Sequence, residues 1–242
     1  MSVSDDSAHI REISAHQVLT VPVRRRWLLV PLVAGLVLCA VSFGWQRAKA
    51  GGWQPLSEQL DSILNVDNDL SVLNWLTTSL FLLAAVGALV LAVTWRRRWW
   101  FVAAFLGFVS LDEAVGLHDP LQKAVERQLD AGGVRAVGVA LLALLAGVLV
   151  IRFLLSLPRP AAWRLAAVAM LIALAAVGVD ALGPDLTDDP GRRLEDWYIV
   201  KATLEETCEL CASVVALDAV FVAALFSRAI PRPVGKGGNQ PR

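Results

Sequence analysis

The sequence predicts an all-α, polytopic membrane protein with six transmembrane helices and two short amphipathic surface helices. Three observations carry that prediction. Of 242 residues, 56% are hydrophobic, and the mean hydropathy of +0.58 lies well above that of a soluble domain. The apolar residues gather into six runs, each near the roughly 20 residues that a hydrocarbon core demands. The tryptophans Trp27, Trp45, Trp53, Trp75, Trp95, Trp99, Trp100, Trp163 and Trp197 all fall at or just outside the ends of those runs. That is the interfacial belt expected where an amphipathic ring sits at headgroup depth.

Residues 1–23 are polar and mixed in charge and read as a cytoplasmic N-terminal tail. Arg24, Arg25 and Arg26 open the membrane domain, 24–228, and its first apolar run covers 27–43. Ala48-Lys-Ala50 before Gly51 resembles a signal-peptide cleavage site. The long preceding region and the charges of Arg47 and Lys49 favour an uncleaved helix instead. In 55–64, Leu56, Leu60, Ile63 and Leu64 recur at helical spacing, which predicts an amphipathic helix on the membrane surface. The second span covers 73–94 and stops at Arg96, Arg97 and Arg98; the third covers 99–118. Asp119 then reads as an N-cap with Pro120 at the first helical position. Leu121, Val125 and Leu129 follow at i, i+4 and i+8, giving a second surface helix that ends at Gly132 and Gly133. The fourth span is 134–155, Pro158 and Pro160 make a turn, and the fifth span is 163–182. A polar loop leads to the sixth span, 197–226, and the Gly- and Pro-containing segment 229–242 reads as a disordered cytoplasmic tail.

With the N-terminus inside, most of the 22 lysines and arginines fall on the cytoplasmic side, so both termini are cytoplasmic and the compartment is a bacterial inner membrane. The formal net charge is zero, which argues against nucleic acid as a partner. The bilayer itself is the expected partner, with a lipid or a small cation as ligand. His9 and His16 lie in the N-terminal tail, so a three-histidine zinc site in the membrane domain is excluded. Cys39, Cys208 and Cys211 cannot build a disulfide framework. The Cys208-x-x-Cys211 spacing lacks a thioredoxin-like context and reads as small apolar packing.

Acidic residues inside apolar runs are the feature that points to function. An ionised side chain at the bilayer centre costs roughly 3 kcal/mol even on lenient scales. At about 1.5 Å rise per residue, Asp112 and Glu113 lie roughly 21–23 Å above the inner boundary near Arg98. Asp180 lies roughly 24 Å above Arg164, and Glu209, Glu206 and Glu205 roughly 28–35 Å above Arg228. Acids from three helices therefore converge on the outer quarter of the membrane. His118 is placed at that end of the third helix, and Asn74, Thr77 and Thr78 reach a similar level on the second.

Helical angles refine the picture. Lys201, Glu205 and Glu209 share one stripe, at i, i+4 and i+8, whereas Glu206 points about 100° away from Glu205. Asp112 and Glu113 are likewise about 100° apart, so a site needs several helices to contribute one or two ligands each. The predicted ligands of a divalent metal ion are Glu113, Glu205, Glu209, Asp112, His118 and Glu206. Asp180, Lys201, Asp218 and Asn74 form a second layer or a proton path. Asp218 lies about 15 Å from the inner face with no partner visible in the sequence. The competing reading is a network of hydrogen bonds and ion pairs that fixes helix packing.

Two motifs carry a resemblance. Ser110-Leu-Asp-Glu-Ala-Val-Gly-Leu-His-Asp119, with Glu205-Glu-Thr-Cys-Glu209 in a later span, resembles an uncharacterised family of bacterial multi-pass membrane proteins. That family carries Leu-Asp-Glu followed by His-Glu in one helix and Glu-Glu-x-x-Glu in a later one. Asp119 stands here where the family motif has glutamate. The resemblance implies a fold and a clustered acidic site but no established reaction.

Three classes of function follow. A carboxylate-bound divalent metal could activate water for hydrolysis of a lipid-type substrate. A carrier could pass cations or protons inward by way of Asp218. A structural or assembly subunit could use the polar residues for packing alone. The acids come late in the third span and early in the sixth, so an inverted three-plus-three repeat is not supported.

Overall fold

The computed structural model describes residues 23–53, 57–68, 70–117, 124–125, 127, 133–175 and 196–229. Among these the chain forms seven α-helices and no strand. A 3-10 turn, Val23–Leu28, leads into α1, Leu29–Ala50. The others are α2, Glu58–Leu64; α3, Val72–Thr94; α4, Trp99–Val115; α5, Gly133–Leu155; α6, Arg159–Ala173; and α7, Asp196–Ala229. Three segments, Arg26–Ala50, Val72–Thr94 and Trp197–Ser227, are long and apolar enough to cross a membrane, which marks a membrane protein.

The helix ends follow from local chemistry. α1 runs on past the expected end at Phe43 because nothing breaks it before Gly51 and Gly52, the latter at φ +89°. Ser57 and Ser71 cap α2 and α3, each hydroxyl accepting a bond at 3.1 Å, from the N–H of Leu60 and Asn74 respectively. α4 stops sooner than expected, at Gly116, whose φ of +62° is left-handed and whose N–H reaches the Asp112 carbonyl at 2.7 Å. The expected third span to residue 118 is thus shortened. α6 starts at Arg159, earlier than expected, because Pro160 fits the first helical turn. Its expected continuation through 176–182 lies outside the described residues. So do the predicted tails, apart from Val23 and Ala229, and Leu56 of the first surface helix. Of the second surface helix only Ala124, Val125 and Arg127 are described, all helical and exposed.

α7 is the hub: α1, α3 and α6 pack on it, and α4 packs on α3. A stripe of small residues on α7, Ala212, Ala216, Ala219 and Ala223, is completely buried, as are Ala84 and Ala88 of α3. Helices in lipid gain nothing from hiding apolar surface from each other, so close backbone approach through small residues supplies the cohesion. Gly35 of α1 stands so near the fully buried Leu210 that a β-carbon there would collide with its side chain. A β-carbon at Gly87 of α3 would come within 2.7 Å of Val220 Cγ1. The opposite faces remain apolar and exposed: Leu82, Leu83, Val86 and Val90 on α3, and Phe101, Phe105 and Phe108 on α4.

One member of the expected tryptophan belt departs from it. Trp99 is completely buried in the core, stacked on Trp95 with centroids 6.4 Å apart. Trp75, Trp100 and Trp163 are exposed, as an interfacial ring should be.

The connection from α1 to α3 is tied down by polar contacts. Asp61 of α2 accepts from Trp45 Nε1 at 2.7 Å and from Lys49 Nζ at 2.9 and 2.7 Å. Val66 N donates to Ser42 Oγ at 3.0 Å, and Tyr198 of α7 donates to Asp67 at 2.8 Å. Burial by itself would raise the Asp61 pKa. The hydrogen bonds from Lys49 and Trp45 and the Lys49 charge outweigh it and hold the carboxyl below its usual range.

Two predictions follow from these contacts. Gly87→Ala is expected to cost about 1–3 kcal/mol of stability, because the Val220 methyl is held by a β-branched side chain with one preferred helical rotamer. Gly44, which has nothing within 4 Å of an added β-carbon, should tolerate alanine with a gain of up to about 1 kcal/mol. Thermal unfolding in detergent checks both, and equal effects at the two glycines would contradict the packing. For Asp61, a depressed native pKa means that its stabilisation is present above the unfolded-state pKa and lost as pH falls through the native one. The midpoint difference between wild type and Asp61→Asn should be constant from about pH 5 to 8 and shrink below about pH 4.

Candidate functional site

The α3–α4 hairpin and α7 carry five of the predicted acids, Asp112, Glu113, Glu205, Glu206 and Glu209. α4 runs antiparallel to α3, so its last turn, with Asp112 and Glu113, lies beside the first turns of α3. Two side chains lock that register. Asn74 Nδ2 donates to the Glu113 carbonyl at 3.0 Å, and Ser110 Oγ donates to the Thr78 carbonyl at 3.0 Å. Thr78 in turn donates to Asn74 Oδ1 at 3.0 Å. Asn74 thus fixes the backbone that presents Glu113.

The N-terminal third of α7 supplies the other acids. Glu209 is within electrostatic range of Glu113, Glu206, Glu205 and Asp112, in decreasing order of strength. Glu206 also acts on the buried Cys39 thiol of α1, and Glu205 on Cys208. All five carboxylates are half-buried, and Lys201, on the same stripe as Glu205 and Glu209, is buried to 7% exposure. Glu113 of α4 and Glu205 of α7 therefore both lie within electrostatic range of Glu209.

Among the described residues no group of three or more His, Cys, Asp or Glu side chains is spaced to hold a metal ion. His118 and Asp180, expected to join the acids, lie outside the described residues. Cys39, Cys208 and Cys211 are free thiols, and Thr207 Oγ1, which donates to the Thr203 carbonyl at 2.6 Å, stands 3.6 Å from Cys39 Sγ.

At the other end of the bundle the structure supplies what the sequence did not show. Asp218 is ion-paired with Arg164 of α6, whose Nε donates to Asp218 Oδ2 and whose Nη1 donates to the Pro160 carbonyl at 2.7 Å. Arg164 had counted only as an inner-boundary charge. The available signal was its place within the first turns of a helix, where a charge beside apolar residues demands a partner. Gln46 was also missed; it is a lone amide near the end of an apolar run, and it is buried.

The pair at Arg164 and Asp218 has side chains 22% and 17% exposed, between a surface pair and a buried one. Arg164→Met or Asp218→Leu alone should lower stability on the order of 1–3 kcal/mol by stranding the other charge. The double variant should lose less than the sum of the two. Strict additivity in a thermal-unfolding cycle would count against the pair.

In comparison with known proteins, a family model described as "Domain of unknown function (DUF8692)" matches residues 29–225. No curated protein matches the chain, and no solved structure does.

Proposed function

The chain belongs to the DUF8692 family, which brings no activity with it, so we propose a function from the chain's own residues. The protein is an integral protein of a bacterial inner membrane, crossing it six times with both termini in the cytoplasm, and it binds a divalent cation near the outer surface. Glu113, Glu205 and Glu209 are the principal ligands, and Asp112, Glu206 and His118 complete the set. The observation that carries this reading is the gathering of four other carboxylates about Glu209 from two helices. In a half-buried, low-dielectric setting carboxylates repel one another and call for protons or a cation among them. Lys201 offers one positive charge on that stripe against five negative ones.

Glutamate's extra side-chain torsion lets the carboxylates close on an ion from helices that present them a few ångströms apart. An all-oxygen donor set favours a hard ion such as Ca²⁺, Mg²⁺ or Mn²⁺ over a thiophilic one. Hydrolysis of a lipid-type substrate by metal-activated water is the enzymatic form of this reading. The carrier reading has less support, because Asp218, its only acid near the membrane's middle, is tied to Arg164.

The deciding measurement is the metal content of the full chain purified in detergent without chelator. One equivalent of divalent metal is expected in wild type and little in Glu113→Gln or Glu205→Gln. Because the ligands must be deprotonated, affinity should fall as the pH is lowered. Ion flux into proteoliposomes would favour the carrier. A metal-free wild type whose thermal midpoint ignores added Ca²⁺, Mg²⁺ and Mn²⁺, with both variants merely less stable, would reduce the carboxylates to a packing network.

A further inference from the structure

A cavity stands apart from the candidate carboxylate ligands. The C-terminal end of α1, the N-terminal turns of α7 and the connection between α2 and α3 enclose a cavity of about 310 Å³, at the low end of the range for small-molecule pockets. Gln46 lines it, is only 9% exposed, and its Nε2 has no hydrogen-bond partner among the described residues. A buried amide N–H left unmade costs about 1–3 kcal/mol, and native structures seldom leave one so.

The other polar groups of the cavity define what would answer it. Lys49 is neutralised by the bidentate bond of Asp61, and Asp67 accepts from the Tyr198 hydroxyl. The carboxylate of Asp67 adds to the lining a strong acceptor for hydroxyl groups. Ser42 Oγ already accepts from Val66 N, which leaves its proton to donate. Thr203 Oγ1 gives its proton to the Ile199 carbonyl at 2.7 Å, which leaves its oxygen to accept. Donors from Gln46 and Ser42 thus stand in one small cavity with an acceptor from Thr203. Alcohol groups that both give and take hydrogen bonds match that lining, and a ring bearing several of them matches it best.

The surroundings indicate how such a ring would arrive. Trp45 and Trp53 meet edge to face 4.9 Å apart at this end of α1, the pairing expected at headgroup depth. Val41 and Phe43, on either side of Ser42 on the same helix, are exposed apolar side chains that a lipid chain could lie along. We propose that this cavity binds a neutral hexose-type group, presented as a glycolipid headgroup or as the free sugar, with the Gln46 amide as its principal donor.

The test uses the full chain in lauryldimethylamine oxide, a detergent without a sugar. Monoglucosyl diacylglycerol, phosphatidylcholine and free glucose are titrated against it, with binding read by native mass spectrometry and by thermal midpoint. Monoglucosyl diacylglycerol should bind saturably and raise the midpoint, and phosphatidylcholine should not. Glucose acting as well would identify the ring alone as the ligand; the glycolipid acting alone would identify the lipid as its source. Gln46→Leu should bind the glycolipid about tenfold or more weakly, with its own ligand-free midpoint unchanged or higher once the orphan amide is gone. Thr203→Val, which removes the acceptor at constant shape, should weaken binding in the same direction and serves if Gln46→Leu does not fold. Wild-type protein that does not distinguish glycolipid from phosphatidylcholine, or a folded Gln46→Leu that binds as well as wild type, would overturn the proposal.

Discussion

Close approach of other helices to α7 is the constraint on which the remaining structure depends. Lipid is as apolar as leucine, so burying leucine between helices adds little; contact through small residues does the work. Gly35 against Leu210, and Gly87 against Val220, leave no room for a methyl group. The alanine stripe of α7 lets α3 lie against it over several turns. With those contacts set, α7 cannot slide past α1 or α3 by a fraction of a turn. The level of every polar residue on α7 is fixed by that register.

That register divides α7 by depth. Beyond Leu210 it carries the buried alanines and the ion pair from Asp218 to Arg164. Up to Glu209 it carries Lys201, Glu205, Glu206 and Glu209, within electrostatic range of the end of α4. The end of α4 is equally determined. Gly116 stops the helix in a left-handed turn just after Glu113, while Asn74 holds the Glu113 carbonyl from α3. A carboxylate on a freely extended helix would drift with helix rotation; here its backbone is fastened from a neighbouring helix.

Much of this was visible in the sequence because two regularities survive folding. Helical rise alone puts Glu113 and Glu209 within about 6 Å of each other in depth, and charge inside an apolar run marks itself. The bounds of α3 and α5 were legible for the same reason, since charge clusters, glycines and prolines stop apolar runs abruptly. What failed depended on neighbours. Trp99 sits at the end of an apolar run like its fellows, yet it stacks on Trp95 and is buried in the same core cluster as Ala161 and Leu165 of α6. The partner of Asp218 lies 54 residues away in sequence, and only the packing of α6 on α7 brings Arg164 to it. Gly116 could be read as a loosening of the helix, but its left-handed φ is a property of the folded turn.

The N-terminal third of α7 also explains why two polar features can coexist in a largely apolar bundle. Thr203, on the wall of the cavity, precedes Glu206 by three residues, or about 4.5 Å of helix rise. One residue further along lies Thr207, whose hydroxyl meets Cys39 on α1 and so stands between Thr203 and the buried Leu210. α1 is polar on the matching face: Cys39, Ser42 and Gln46 recur every three or four residues and are all buried. A face of that kind would be wasted against lipid and costly against leucine. Its pairing with the polar turns of α7 is what turns an unfavourable stripe into an enclosed wall. The apolar remainder of α1 is then free to face outward, where Val33, Val37 and Val41 are exposed.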